Sequence, residues 1–149
     1  GIVIGNSTGS VIYILTGDGD GGDTYSIGVL KSTNSGSTWA TTGLSWDITD
    51  NVRGYKLRRH PTNSNILFAV TNTGLFRTSN GGISWTEEDT GSWRDLEFKP
   101  GDPNIMYLSG SSFKRSTDNG LNWTSITSGV PTGTSRMEIG VSADNPVYV

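Results

Sequence analysis

Three aspartates, Asp18, Asp20 and Asp23, stand in the glycine-rich stretch TGDGDGGDTYSIG at 16–28. Aspartate at that density offers hard oxygens, and glycine lets a backbone come close to a ligand. Gly17, Gly19 and Gly22 spell the GxGxxG of a phosphate cradle. Such a loop delivers its phosphate to a helix N-terminus, and here no helical periodicity follows, while the intervening carboxylates repel an anion. Calcium is the second chemistry, with Asp18, Asp20 and Asp23 as its ligands. An EF-hand counted from Asp18 needs glycine at its sixth place and glutamate at its twelfth, and those places hold Asp23 and Val29. A calcium site here is therefore of another kind. Contact with a sugar or a protein is the third use, and a hairpin bonded only to itself is the fourth.

A second group lies in ATTGLSWDITDNVRG at 40–54, with Trp46, Asp47 and Asp50. Beside Tyr25 it supplies rings that stack on sugars and carboxylates that accept hydroxyl hydrogens. Asp47 with Asp18 or Asp20 is the candidate pair for a glycosidase, which needs two opposed carboxylates roughly 5 to 10 Å apart. No glycosidase motif surrounds them. The chain has no cysteine and a single histidine, His60, which excludes thiolate chemistry and a zinc site built on His and Cys. His60 sits in the turn RRHPTNSN and reads as a turn residue.

These residues need elements to hold them, and composition says which kind. Of 149 residues only 32% are hydrophobic, while 21 are glycine. Five Trp, five Tyr and four Phe supply burial that a disordered chain lacks. That balance suits one domain of short strands and many turns. The net charge of −3 comes from 11 basic and 14 acidic residues, too mild and mixed for nucleic acid. The densest basic run, Arg53, Lys56, Arg58 and Arg59, reads as decoration of strand faces. No segment reaches the length of a membrane-spanning helix.

The chain repeats itself. STNSGSTW (32–39), TSNGGISW (78–85) and STDNGLNW (116–123) all fit Ser/Thr-x-Asn/Asp-x-Gly-x-x-Trp. Upstream of each comes a short apolar run with an aromatic: VIYIL, ILFAV and IMYLS, carrying Tyr13, Phe68 and Tyr107, with Tyr148 as a fourth copy. Earlier still lie YKLRRHP, DLEFKPG, RMEIGVS and, at the start, IVIG. Each unit reads as four short strands in roughly 40 residues, the pattern of a β-propeller blade. The box is a turn in this reading. Ser32, Thr78 and Ser116, with Asn34, Asn80 and Asp118, bond to backbone N–H groups. Gly36, Gly82 and Gly120 supply positive φ. Trp39, Trp85 and Trp123 open the last strand and bury their rings, N–H bonded to backbone. These twelve are structural, not a site.

The pattern resembles the Asp-box, or BNR, repeat of sialidases, xyloglucan-degrading glycosidases, sortilin-type receptors and photosystem assembly factors. YILTGDGDGGDTYSIGVLKSTNSGSTW with TTGLSW is similar in wording to large secreted bacterial surface proteins of the type IX route. The resemblance implies an all-β propeller, with blades of four antiparallel strands near 1–45, 52–90 and 92–127 and the start of a fourth near 134–149. It implies a secreted or cell-surface location and a glycan or protein ligand, with no resident cofactor, calcium staying open. It also implies that the rest of a propeller, or another chain, completes the ring. A sialidase needs an arginine triad; arginines are present here, but there is no Arg-Ile-Pro segment. The reading is a noncatalytic scaffold or binding module. Part of a glycoside hydrolase and a protein-binding receptor or assembly factor are the alternatives.

Spacing locates the two loops. From second-strand aromatic to box Trp is 26 positions in the first unit, 17 in the second and 16 in the third. The excess falls in TGDGDGGDTYSIG, between second and third strands. Residues 40–54 hold the other excess, between one blade and the next. Both kinds of loop emerge on the face opposite the boxes, which brings Asp18, Asp20, Asp23, Tyr25, Trp46, Asp47 and Asp50 within reach of one another.

Overall fold

The computed structural model of the chain describes residues 1–19, 23–131, 133–142 and 147–148. Three four-stranded antiparallel sheets follow one another. β1 (Ile2–Ile4), β2 (Ile12–Leu15), β3 (Gly28–Ser32) and β4 (Ala40–Ser45) pair in chain order. So do β5 (Gly54–Arg59), β6 (Leu67–Thr71), β7 (Gly74–Thr78) and β8 (Thr86–Thr90). β9 (Trp93–Lys99), β10 (Asp102–Gly110), β11 (Phe113–Ser116) and β12 (Thr124–Ser125) make the third, and β13 (Gly140–Val141) pairs with β14 (Val147–Tyr148). A single 3-10 turn, Ile48–Asp50, is the only helical element among the described residues. The first strands stand side by side, β1 by β5, β5 by β9 and β9 by β13. They form a curved inner wall from which the sheets radiate, as in part of a propeller.

The core lies between sheets rather than inside one. Tyr13, Leu15, Val29 and Leu44 of the first sheet meet Leu57, Leu67 and Ala69 of the second. Phe68, Val70 and Leu75 on the other face of the second sheet meet Trp93, Leu96, Met106 and Leu108 of the third. β6, LFAVT, is thus buried at every residue, and its run of apolar residues without alternation follows from being covered on both faces. β8, TEEDT, is an outer strand with no fully buried residue. A layered core of this kind needs few apolar residues per strand, which accounts for the low hydrophobic share.

The three boxes have one hydrogen-bond plan. Ser32 Oγ accepts from the backbone N–H groups of Asn34 and Gly36, and donates to Asn34 Oδ1. Thr78 and Ser116 do the same in their boxes. The Asn or Asp oxygen accepts from the backbone N–H four residues on, at 2.9–3.0 Å. Gly36, Gly82 and Gly120 take φ of +87°, +89° and +77°. The residues before them, Ser35, Gly81 and Asn119, also lie in the left-handed region, which their types did not announce for Ser35.

The tryptophans depart from expectation in two places. Trp39 and Trp123 donate to the carbonyls of Gly36 and Gly120, but the buried indole N–H of Trp85 has no acceptor. The matching carbonyl, of Gly82, is taken by the N–H of Gly43 in the preceding sheet. Trp39 is 38% exposed, because its side of the first sheet faces no other sheet among the described residues. The second box is therefore also a clasp between blades. Tyr13 Oη and Lys31 Nζ, paired across β2 and β3, both donate to the Gly81 carbonyl, at 3.0 and 3.3 Å.

Candidate functional site

The two long segments meet on the face opposite the boxes. The β2–β3 hairpin closes with the Thr16 N–H donating to Gly28 O and the Asp18 N–H to Thr24 O. Thr16 Oγ1 braces it by donating to Gly28 O and accepting from the Ile27 N–H. The Ser26 N–H then donates to Val52 O at 2.7 Å, which ties the hairpin to the segment linking the first two sheets. That segment is tied in turn to the β6–β7 turn through Asn72, whose Oδ1 accepts from the Arg53 N–H.

The candidate residues divide by role. Asp47 and Asp50 cap the 3-10 turn: Asp47 Oδ1 accepts from the N–H and Oγ1 of Thr49, and Asp50 Oδ2 from the Asp47 N–H. The Thr49 N–H, and after it the Thr49 hydroxyl, hold the Asp47 carboxyl below the usual carboxylate range. Trp46 packs edge-on against Phe76, ring centroids 5.5 Å apart, within the core between the first two sheets. Tyr25 lies under the Arg53 guanidinium, 5.9 Å from ring centroid to Cζ. Asp18 borders a cavity, Asp23 is exposed on the loop, and Asp20 lies outside the described residues. No group of three or more His, Asp or Glu side chains that could hold a metal occurs among the described residues. His60 is buried in the β5–β6 turn, its Nδ1 accepting from the N–H groups of Thr62 and Asn63.

The cavity that Asp18 borders has a volume of about 410 Å³, within the range of small-molecule sites. It opens where the first strands begin. The hairpin contributes Gly17, Asp18 and Gly19; β5 contributes Tyr55 and Lys56; β9 contributes Arg94 and Asp95; Arg136 and Glu138 come from the segment before β13. Gly19 lies so close to Tyr55 that a Cβ there would stand 2.8 Å from the ring, so glycine lets the hairpin lie over the cavity. Tyr55 carries Arg94 on its ring, with the guanidinium carbon 4.0 Å from the centroid. The Tyr55 hydroxyl is buried with no hydrogen-bond partner. Arg53 is held above its ordinary pKa, first by the Tyr25 hydroxyl; the Tyr55 hydroxyl, close to it without hydrogen-bond geometry, adds less.

Asp95 is the structural pivot of this mouth. Its carboxylate pairs with Lys56 of the second sheet and accepts from the N–H groups of Leu96 and Ile139, both at 2.8 Å. Glu97 pairs with Lys56 and Arg58, and Glu138 with Arg136. Glu97 is half-buried between neighbouring first strands, and Glu138 borders the cavity. In a propeller the first strand faces the central channel, so its outward-facing positions line a wall.

Sequence reasoning passed over Tyr55, Lys56, Arg94, Asp95, Arg136 and Glu138 as site residues. A signal was present. With Pro61 aligned to Pro100, Tyr55 matches Arg94 and Lys56 matches Asp95. Matching positions of neighbouring repeats thus hold a ring beside a guanidinium and an ammonium beside a carboxylate, the pairs that form across the inner wall.

No protein-family model matches the chain. Over 133 residues it is 29% identical to a xyloglucanase of Hypocrea jecorina (strain QM6a), a match covering 81% of this chain and 15% of that protein. Among solved structures, the GH74 enzyme of Niastella koreensis superposes with a TM-score of 0.65 at 23% identity, over 91% of this chain and 23% of that one. YCF48 bound to D1 peptide superposes with a TM-score of 0.57 at 17% identity, over 84% and 38%. The chain spans less than a quarter of the length of the GH74 relatives it matches. In fold it is a segment of a BNR-type β-propeller like those of GH74 xyloglucanases and YCF48.

Proposed function

We propose that the chain is a noncatalytic propeller segment of a secreted or cell-surface protein, and that the cavity at the mouth of its inner wall binds a glycan. The observation that carries this reading is the cavity itself. It combines an aromatic side chain, Tyr55, with hydrogen-bonding groups drawn from the second and third sheets, the hairpin and the segment before β13. Sugars are bound by such a mixture, with polar groups converging on hydroxyls in a shaped recess. Asp95 supports binding over hydrolysis, because Lys56 and two backbone N–H groups occupy its oxygens, leaving it poorly placed to serve a substrate. Affinity electrophoresis of the chain through gels containing xyloglucan, mixed-linkage glucan or pectin tests the reading. Retardation in at least one gel, weakened in Tyr55→Ala, is expected. Equal mobility in every gel would overturn it.

Catalysis as part of a glycoside hydrolase is the second reading, favoured by the xyloglucanase that shares 29% identity. Release of reducing ends from xyloglucan by the chain, lost on Asp18→Ala, would favour hydrolysis over binding alone.

A further inference from the structure

Resting on the glycan reading of the cavity, we propose that the glycan it takes is acidic, and that Arg94 is the residue that selects its carboxylate. The cations at this mouth are not equivalent. Lys56 is shared between Asp95 and Glu97, and Arg136 pairs with Glu138. Arg94 is half-buried, borders the cavity, and among the described residues its guanidinium contacts only the Tyr55 ring. A partly desolvated cation without a counter-ion is costly, and a ligand anion removes that cost.

Its stacking suits the task. A guanidinium lying on a ring keeps its edge of N–H donors free, and that edge matches both oxygens of a carboxylate. The ring also restricts the side chain in advance, so less rotamer freedom is lost on binding. Asp18 at the lip opposes an anion of diffuse charge but accepts hydroxyl hydrogens. The arrangement therefore fits a sugar that bears its charge at one end and hydroxyls elsewhere, which is a uronic acid.

Isothermal titration of the unaltered chain with a galacturonate oligosaccharide, its methyl ester and a xyloglucan oligosaccharide tests this. The ester keeps shape and hydroxyls while removing charge. We expect the acid to bind about tenfold or more tighter than its ester, and raised salt to weaken only the acid. In Arg94→Gln the ratio of acid to ester affinity should fall to about one, and Arg94→Lys, which keeps charge without the fork, should restore it only in part. Equal binding of acid and ester by the unaltered chain would overturn the inference, as would an unchanged ratio in a folded Arg94→Gln. Binding of the xyloglucan oligosaccharide alone would also overturn it while leaving the glycan reading intact. Failure of all three ligands would overturn both.

Discussion

Asp118 differs from its counterparts, and the difference can be measured. In the first two boxes the Asn side chain donates through Nδ2 to a hydroxyl four residues on: Asn34 to Thr38 and Asn80 to Ser84, each at 2.8 Å. In the third box the direction reverses, and Asn122 Nδ2 donates to Asp118 Oδ2 at 2.6 Å. Carboxylate goes with amide and amide with hydroxyl, so the fourth residue on matches the box residue. Asp118→Asn keeps the Oδ1 that accepts from Ser116 and from the Leu121 and Asn122 N–H groups, but sets two NH2 groups against each other. A charge-assisted bond contributes about 1.5–3 kcal/mol; exposure and screening discount it here, leaving a loss of about 1 kcal/mol. That lowers Tm by about 2–4 °C in a domain of this size. Adding Asn122→Ser rebuilds the arrangement of the second box and should recover most of the loss, a coupling readable in a double-mutant cycle of urea melts. The carboxyl also sets a pH signature. Hydrogen bonds, first from the Asn122 side chain and then from its backbone, lower its pKa from 3.8 to about 2. A lowered carboxyl pKa stabilises the fold above pH 3.8 and loses that contribution as pH falls towards about 2. Asp118→Asn should flatten this part of the acid limb. A neutral Asp118→Asn, or no recovery in the double variant, would show that the pairing carries no energy.

Three further outcomes are expected. Burial, with Arg77 and Arg59 adding repulsion, holds His60 below its ordinary pKa of 6.5, so stability is full above that value and declines as pH falls below it; His60→Asn should remove the dependence in melts between about pH 6.5 and 5. Gly120→Ala should lose about 3 kcal/mol or more, since its φ is +77° and a Cβ would sit 2.6 Å from the Phe68 ring, whereas Gly101→Ala, at φ +81° in open space, should lose only about 1–2 kcal/mol. Asp95→Ala should destabilise by about 3 kcal/mol in denaturant melts, because the Leu96 and Ile139 N–H groups lose their acceptor together and Lys56 keeps only Glu97.

The repeats carried most of the fold into plain view. Ser/Thr, Asn/Asp, Gly and Trp at fixed spacing are turn chemistry, and the apolar runs between them have room for strands only. The spacing excess also located the two long segments on one face, where the Ser26 N–H now joins them through Val52. The cavity was harder to see because its walls come from separate stretches of chain, and each alone reads as an ordinary strand start or turn. Arg94 looks like surface charge until Tyr55 of the neighbouring sheet is beneath it. Trp46 and Asp47 mislead in the opposite way. A lone Trp and a lone Asp on a long loop suggest a ligand, whereas edge packing on Phe76 and capping of a 3-10 turn occupy them. Periodicity records which faces are buried, but not which residue of the next blade buries them.

The most direct measurement is a map of amide chemical shifts in the chain, titrated with whichever glycan retards it in the gel. Shifts should concentrate on Gly17, Asp18 and Gly19 of the hairpin, on Tyr55 and on Arg94, and the Asp-box glycines Gly36, Gly82 and Gly120 on the opposite face should stay still. A saturable response centred on the box face, with the hairpin and Tyr55 unmoved, would mean that the cavity is not where this protein takes its ligand.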